Sequence, residues 1–430
     1  MRILVITDVL WRNDNGVGNS YSNIFAGMED LTIANICCQE GSSDNAVSEA
    51  CFQMSEGRLI ANLRNRAIPA GIVEVPQQSG VVQRQNEGTS RIVRSLKRSR
   101  LQILFWMRNI IWKIGRWKSD ALKNFVEEFK PDLIFAQLQD KMYLNDIVGY
   151  VQELTQCPLV LYAWDDVYSL KQFSLSPLYW IDRLMQRHSI RKLVQRCQLL
   201  YTISAEQKEE YARTLHVKTG LLYKGKNFEY GTVQPIVRNG VLQMLYTGNL
   251  YSGRYATLLS LCQELERQNE SGIKAQLHIY SGTDLTDQQI CNLNRGDSTF
   301  FEGRVSEQRV EELQNEADVL IHIEPLSLKG SLLCRLSFST KLVDYFSKRK
   351  CIFAVGSERC ASIRYLKRND AALVSTSIED AKKMLADMLA STDRIAEYSE
   401  KAWNCGAKNH QIHSIQENLH RELERMVRTK

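Results

Sequence analysis

The sequence has no Cys-x-x-Cys pair, no Cys/His set at zinc spacing and no Asp-x-Asp triplet. The first two absences argue against a structural metal, and the third weakens any metal-dependent transfer of a group. Its 11 cysteines are an odd number scattered through a long chain, which speaks for reduced, mostly buried thiols rather than a disulfide framework. No uninterrupted apolar run of about 18 residues occurs, so no segment is suited to cross a bilayer as a helix. Internal repeats and low-complexity tracts are also missing. The opening MRILVITDVLW is broken by Thr7-Asp8 and has no small-residue cleavage site after it, so it reads as a first strand and not as a signal peptide.

What is present suits two or three domains. The 430 residues are 44% hydrophobic and 24% charged, enough to build a core throughout and too apolar for long disorder. The net charge of +6 is spread over a large chain, and with no aromatic platform beside it nucleic acid is not an expected partner. Short apolar runs alternate with helix-like segments: Ile3–Thr7, Leu31–Cys37, Asp132–Ala136, Leu159–Ala163 and Leu199–Ile203, then Gln243–Tyr246, Gln276–Tyr280, Thr299–Phe301, Val319–Ile323, Cys351–Val355 and Ala372–Val374. Continuous apolar strands between helices imply α/β domains with parallel sheets covered on both faces. The Gly/Asn-rich stretch from Gly225 to Gly240 divides the two series as a hinge would. We therefore expect an N-terminal domain over 1–230, a C-terminal domain over 231–395, and a helical tail over 396–430. Doubly wound sheets bind ligands beyond the carboxyl ends of their strands, so two facing domains make one cleft.

Strand-end motifs follow in order. After the first strand, Asn15-Gly16-Val17-Gly18 opens a helix, where glycines let backbone approach a ligand. The loop is too long for a dinucleotide fingerprint and lacks its third glycine. Trp164-Asp165-Asp166 ends the fourth run, and adjacent carboxylates there suit hydroxyl groups or donors. In the second half come Gly248-Asn249-Leu250 with Arg254, then Gly282, then Gly303-Arg304-Val305, then His322-Ile323-Glu324-Pro325, and last Ser339-Thr340-Lys341 with Asp344. Between Gly88 and Ser119 there is no acid, but Arg94, Arg98, Arg108, Arg116 and other basic residues oppose a stripe including Met107, Ile110 and Ile114, with Trp112 on the basic side. A basic, aromatic amphipathic helix is expected to lie on an anionic membrane surface.

In their order and spacing these motifs resemble a GT-B glycosyltransferase of the family 4 type, retaining enzymes that use nucleotide sugars. The similarity is strongest from Met244 to Val355. It implies two Rossmann-like domains facing a central cleft, with the helices over 396–430 packing back on the first domain, and a transferase that works without a metal or cofactor beyond its co-substrate. Gly248, Asn249 and Arg254 would meet the donor diphosphate, although an Arg is common where Asn249 stands. Phe301-x-Gly303-x-Val305 would meet the base and Asp344 the ribose, with Gly282 and Arg304 also on the donor. Where the family's first acid is expected, this chain has Leu336, and Glu324 is the expected substitute. Asn15–Gly18 match the family's loop near sugar and acceptor, and Asp165 or Asp166 would orient the acceptor hydroxyl, on a glycan or a lipid-linked glycan. Arg254, Lys341 and the helix start at Ser339–Thr340 provide charge and amides for a departing diphosphate. The resemblance implies synthesis of cell-surface polysaccharide or glycoconjugate in the cytoplasm, on the inner face of the membrane. Two rivals remain: a nucleotide-sugar epimerase of the same build, and a non-catalytic relative acting as partner or scaffold.

Overall fold

The computed structural model describes residues 1–13, 15–75, 102–229 and 240–428, without the side chains of residues 102–105. Arg94, Arg98 and most of the expected hinge lie outside the described residues. The first lobe is a sheet of strands β1 (Arg2–Thr7), β2 (Thr32–Cys37), β3 (Ala50–Met54), β4 (Gly71–Glu74), β5 (Leu133–Gln137), β6 (Leu159–Ala163), β7 (Leu199–Thr202) and β8 (Thr219–Leu221). They lie in the order β4-β3-β2-β1-β5-β6-β7-β8, and only β4 runs antiparallel to its neighbour. Helices α1 (Gly16–Phe25), α2 (Glu56–Arg64), α3 (Gln102–Ile114), α4 (Asp120–Phe129), α5 (Met142–Thr155), α6 (Pro177–Val194) and α7 (Ala205–Leu215) connect or cover the strands.

The apolar runs become central strands because both faces are covered. Leu4, Ile6, Ile134, Ala136, Leu159 and Leu161 point into one core, while Ile3, Val5, Leu133, Phe135, Val160 and Tyr162 point into the other. The second lobe repeats the scheme with β9 (Leu242–Thr247), β10 (Ala275–Tyr280), β11 (Thr299–Gly303), β12 (Val319–Ile323), β13 (Cys351–Val355) and β14 (Leu373–Ser375), all parallel, in the order β11-β10-β9-β12-β13-β14. Its helices are α8 (Arg254–Gln268), α9 (Asp287–Leu293), α10 (Glu307–Glu316), α11 (Leu328–Leu333), α12 (Lys341–Ser347), α13 (Ala361–Arg368) and α14 (Ile378–Ala390).

Two final helices part company. α15 (Asp393–Asn409) stays with the second lobe, its Ala402 and Trp403 in one core with Phe346 and Ile352 of α12 and β13. Only α16 (Ile412–Arg428) crosses to the first lobe, where Leu419 and Leu423 join Ile3, Val5 and Phe135. Gln416 donates to the carbonyls of Asn23 and Ala26, and the Tyr201 hydroxyl donates to Glu422 at 2.6 Å. The crossing thus begins at 412 and not at the expected 396. Among the described residues no helix is long and apolar enough to cross a membrane.

Leu423 is fully buried, so Leu423→Ala is expected to lower unfolding free energy by about 2–5 kcal/mol in chemical denaturation. Leu175→Ala, at an 86% exposed side chain, should stay within about 0.5 kcal/mol of the parent.

Candidate active site

Strand order puts the carboxyl ends of β11, β10, β9 and β12 in one row, and the singled-out residues of the second lobe follow them directly. Gly248 leaves β9 with φ at +146°, and a Cβ there would sit 1.9 Å from Lys341 Nζ. Glycine is required on both counts, since backbone and the lysine share the space a side chain would fill. Lys341, at the start of α12, reaches back to donate to the Thr247 carbonyl at 2.6 Å, with its ammonium 5.1 Å from the Tyr246 ring centroid.

Beside it, Arg254 opens α8 and donates to Glu324 through Nη2 at 2.8 Å and Nε at 3.2 Å. Its other contacts are Asn249 Oδ1 at 3.2 Å and Cys334 Sγ at 3.6 Å. Glu324 is buried at the end of β12, where the His322 ring and Arg254 hold its carboxyl below the usual range against the opposing effect of burial. Burial and the nearby Arg254 push the Lys341 ammonium down to about 8. His322, to which the sequence motifs assign no role, is buried with Nε2 3.5 Å from Glu324 Oε1, and neither ring nitrogen has a hydrogen-bond partner among the described residues. Burial lowers its pKa, so the neutral ring backs the carboxylate. Two cations thus share one acid, an arrangement that attracts a multiply charged anion.

The rest of the row is mixed. Gly303 (φ +76°) ends β11 and accepts from the Ser281 amide at 2.8 Å, while the Arg304 side chain lies against Gly282. Val305 packs half-buried on the second-lobe core. The Ser339 amide donates to Ser362 Oγ at 2.9 Å, so it does not serve the cleft as expected. Thr340 occupies the cap position of α12 without a side-chain cap bond. Asp344 accepts from Lys224 at 3.0 Å through both oxygens, with Lys226 3.8 Å away, both lysines coming from the segment after β8.

The first lobe answers across the cleft. The Ser337 hydroxyl donates to Asp165 Oδ1 at 2.8 Å, and the Arg254 guanidinium is close enough to act on the same carboxylate. Asp165 keeps a side open to solvent, yet protein crowds it elsewhere, and that desolvation raises its pKa despite Ser337. Asp166 is different. It is buried, accepts from the amide and hydroxyl of Ser169 and from Arg335 Nη2 at 3.1 Å, and has Arg183 3.7 Å away. Asp166 therefore builds the lobe contact and does not face the cleft as an acceptor-orienting acid would. Arg335 also clasps Glu210, and the Leu336 side chain is buried in the core of the first lobe, its carbonyl accepting from Ser204 at 2.6 Å. Trp164 packs against the cores of both lobes, its indole nitrogen buried without a partner among the described residues. In the glycine loop, Asn15 caps α1 by accepting from the Gly18 amide at 2.7 Å, Gly18 lies flush on the Arg12 backbone, Gly16 is open, and Val17 is partly buried.

The expected membrane face of the basic segment turns inward. Trp112 is buried, stacks on Tyr143 at 4.6 Å and donates to Glu56 at 2.7 Å. Arg108 pairs with Glu56, has Asp8 3.6 Å away and lies over the Tyr143 ring. Glu56 supplies the hydrogen-bonded partner that these polar groups need to leave water. Arg116 is exposed, and Met107, Ile110 and Ile114 face solvent instead.

No protein-family model matches the chain, and no curated protein sequence matches it. Solved structures match over its whole length. HepE from Anabaena, in complex with UDP, aligns with a TM-score of 0.63 at 13% identity, covering 99% of this chain and 100% of that one. Sucrose-phosphate synthase from Thermosynechococcus elongatus gives 0.64 at 12%, covering 100% of both. An alpha,alpha-trehalose-phosphate synthase (UDP-forming) from Burkholderia xenovorans, solved with glucose-6-phosphate, gives 0.56 at 9%, covering 99% of this chain and 100% of that one. At such identities the likeness is one of fold: the chain has the GT-B architecture of two parallel-sheet, Rossmann-like lobes.

Gly248→Ala should displace Lys341 and weaken binding of inorganic pyrophosphate, measured by calorimetry, by about tenfold or more. Asp166→Asn is expected to lower stability by about 3 kcal/mol, because it leaves Arg335 and Arg183 without their buried partner. Asp165→Asn, at an acid open to solvent, should leave the thermal midpoint nearly unchanged.

Proposed function

We propose that this chain is a glycosyltransferase resembling family 4, moving a sugar from a nucleotide-sugar donor to a hydroxyl of a glycan or lipid-linked acceptor. The observation that carries the reading is the Arg254–Glu324–Lys341 cluster at the strand ends of the second lobe, with positive charge in excess and Asp165 facing it. Cleaving the bond between sugar and diphosphate requires that growing negative charge be stabilised. Arg254 and Lys341 supply that charge from side chains, each donor of this kind being worth about 3 kcal/mol in a water-poor cleft. Gly303, Arg304 and Gly282 form the wall for the base and Asp344 the acid for the ribose, and binding there would draw Asp344 from Lys224. Asp165 orients the acceptor hydroxyl, and Asn15–Gly18 shape the sugar side. The reaction in this proposal retains configuration and needs no metal. Its setting is the cytoplasmic face of the membrane, in polysaccharide or glycoconjugate synthesis. UDP in the HepE structure makes uridine sugars the first donors to try.

Leu336, buried where the family's first acid is expected, favours a second reading: a donor-binding partner protein without transfer. A thermal-shift panel of UDP-, GDP-, ADP- and dTDP-sugars decides between them when joined to donor hydrolysis. One donor at a hundred times its dissociation constant should stabilise the protein by about 2.7 kcal/mol. Arg254→Ala and Lys341→Ala should abolish the shift and the hydrolysis, and a shift without turnover with any acceptor supports the second reading. No shift with any donor sinks both.

Acidity gives an independent check. Lys341 is half charged at about pH 8 and mostly neutral above it, so a diphosphate that needs its charge must bring a proton with it above that pH. Donor affinity should therefore fall as pH rises past about 8, by up to about tenfold per unit, and Lys341→Arg should flatten the profile.

A further inference from the structure

A second concave surface lies on the first lobe. Helices α3, α5 and α6 enclose a trough of about 1130 Å³. It runs along α5 from Met142 and Tyr143 to Glu153, which at 1.5 Å per residue is roughly 16 Å. Trp112, Trp117, Tyr143 and Tyr150 give it an aromatic floor, and Ile110 of α3 and Leu184 and Met185 of α6 form its lips.

The surroundings are unlike an ordinary solvated surface. Most of the large hydrophobic side chains exposed among the described residues belong to α3 or to the stretch 170–185. Met107, Ile110 and Ile114 follow at steps of 3 and 4 on α3, and Leu178, Ile181 and Leu184 at steps of 3 on α6, so each helix turns an apolar stripe outward. Apolar stripes of this extent mark a contact surface. The charges on the two flanking helices are mostly basic, and the exposed acids between them are Asp146 and Glu153 of α5. α3 and the turn after it expose Lys113, Arg116 and Lys118 and carry no acid, and from Val167 to Ser204 the one acid, Asp182, is buried. Lys113, Lys118 and Lys192 all act on the Asp146 carboxylate of α5, three cations against one acid beside the trough. At the far end, Glu153 is paired with Arg196 at 2.7 Å.

We propose that the trough between α3, α5 and α6 binds a hydrocarbon chain of an anionic bilayer lipid, whose headgroup is held by Lys113, Lys118 and Lys192. A nucleic acid would use the lysines but has no need of the apolar lips. An anionic lipid uses both, and the outward stripes enter the interface around it. The trough opens beside Tyr143, whose hydroxyl donates to Asp8 at the end of β1, so the lipid lies next to the first-lobe side of the cleft. This site replaces the expected attachment through Arg108 and Trp112 and stands independently of the donor reading.

The test mixes the full chain with vesicles of equal parts phosphatidylcholine and phosphatidylglycerol, plain or brominated along the acyl chains. Binding is followed by co-sedimentation, and chain entry by quenching of Trp106, Trp112 and Trp117, which line the trough. Brominated anionic vesicles should quench, and phosphatidylcholine vesicles should neither bind nor quench. The exposed double variant Leu184→Glu/Met185→Glu should abolish quenching and weaken binding by about tenfold or more. Lys113→Ala/Lys118→Ala/Lys192→Ala should weaken it by roughly a hundredfold and remove most of its salt dependence. Both variants should keep the parent's thermal midpoint and its shift with donor. Absence of vesicle binding, binding without quenching, or binding that survives both variants overturns the proposal. So does binding lost only in Arg94→Glu/Arg98→Glu, which moves the attachment to the segment before α3. Quenching in a protein that no nucleotide sugar stabilises would sink the donor reading and leave this one standing.

Discussion

The second lobe holds more positive charge at its strand ends than it neutralises, and much of the structure is arranged to tolerate this. Removing Arg254 and Lys341 from water is costly, and the single carboxylate of Glu324 offsets only part of the cost. The ammonium is accommodated by a carbonyl, an aromatic face and a glycine with no side chain to displace it. Glu324 is itself steadied by a neutral histidine behind it. The cluster keeps a net positive charge, which an anion would balance.

The segment from Cys334 to Lys341 carries this arrangement to the other lobe. Cys334 touches Arg254, Arg335 clasps Asp166 and Glu210, Leu336 enters the first-lobe core, Ser337 holds Asp165, and Lys341 returns to the cluster. In eight residues the chain visits both walls of the cleft. The cluster and the acid on the opposite wall are thus joined through covalently adjacent residues.

Most central strands were legible because they are continuous apolar runs buried on both faces, β10 with Gln276 and His278 half-buried being less so, and the observed bounds differ from the expected ones by a residue or two. Three strands of the first lobe were not: β3 carries Gln53, β4 is four residues of which Val73 is exposed, and β8 is a Thr-Gly-Leu triplet, so none reads as a continuous apolar run. Strand-end residues of the second lobe were legible from the order and spacing of their motifs and the resemblance these carry, and Gly248 and Gly303 do take φ values that other residues avoid. Distinguishing Asp165 from Asp166 was beyond sequence, because Arg335, which takes the second, lies 169 positions away. The same holds for Trp112 and Arg108, whose partner Glu56 is more than fifty residues upstream. His322 was hidden by its apolar neighbours, which made it look like any strand residue.

The chain passes between lobes near residue 226 and again near 411, and these two passages are neighbours. The Lys226 amide donates to the His410 carbonyl at 2.9 Å, and the Ile412 amide donates to the Lys226 carbonyl at 3.0 Å. Two connections laced together act as a single pivot, like the leather strip on a book's spine. A swing about that line must also part the contacts of Arg335, Leu336 and Ser337 with the first lobe, and a slide would tear the bonds at Lys226. Opening must then be widest at the edge farthest from the spine, and any molecule too large to diffuse through the closed gap enters and leaves from that edge.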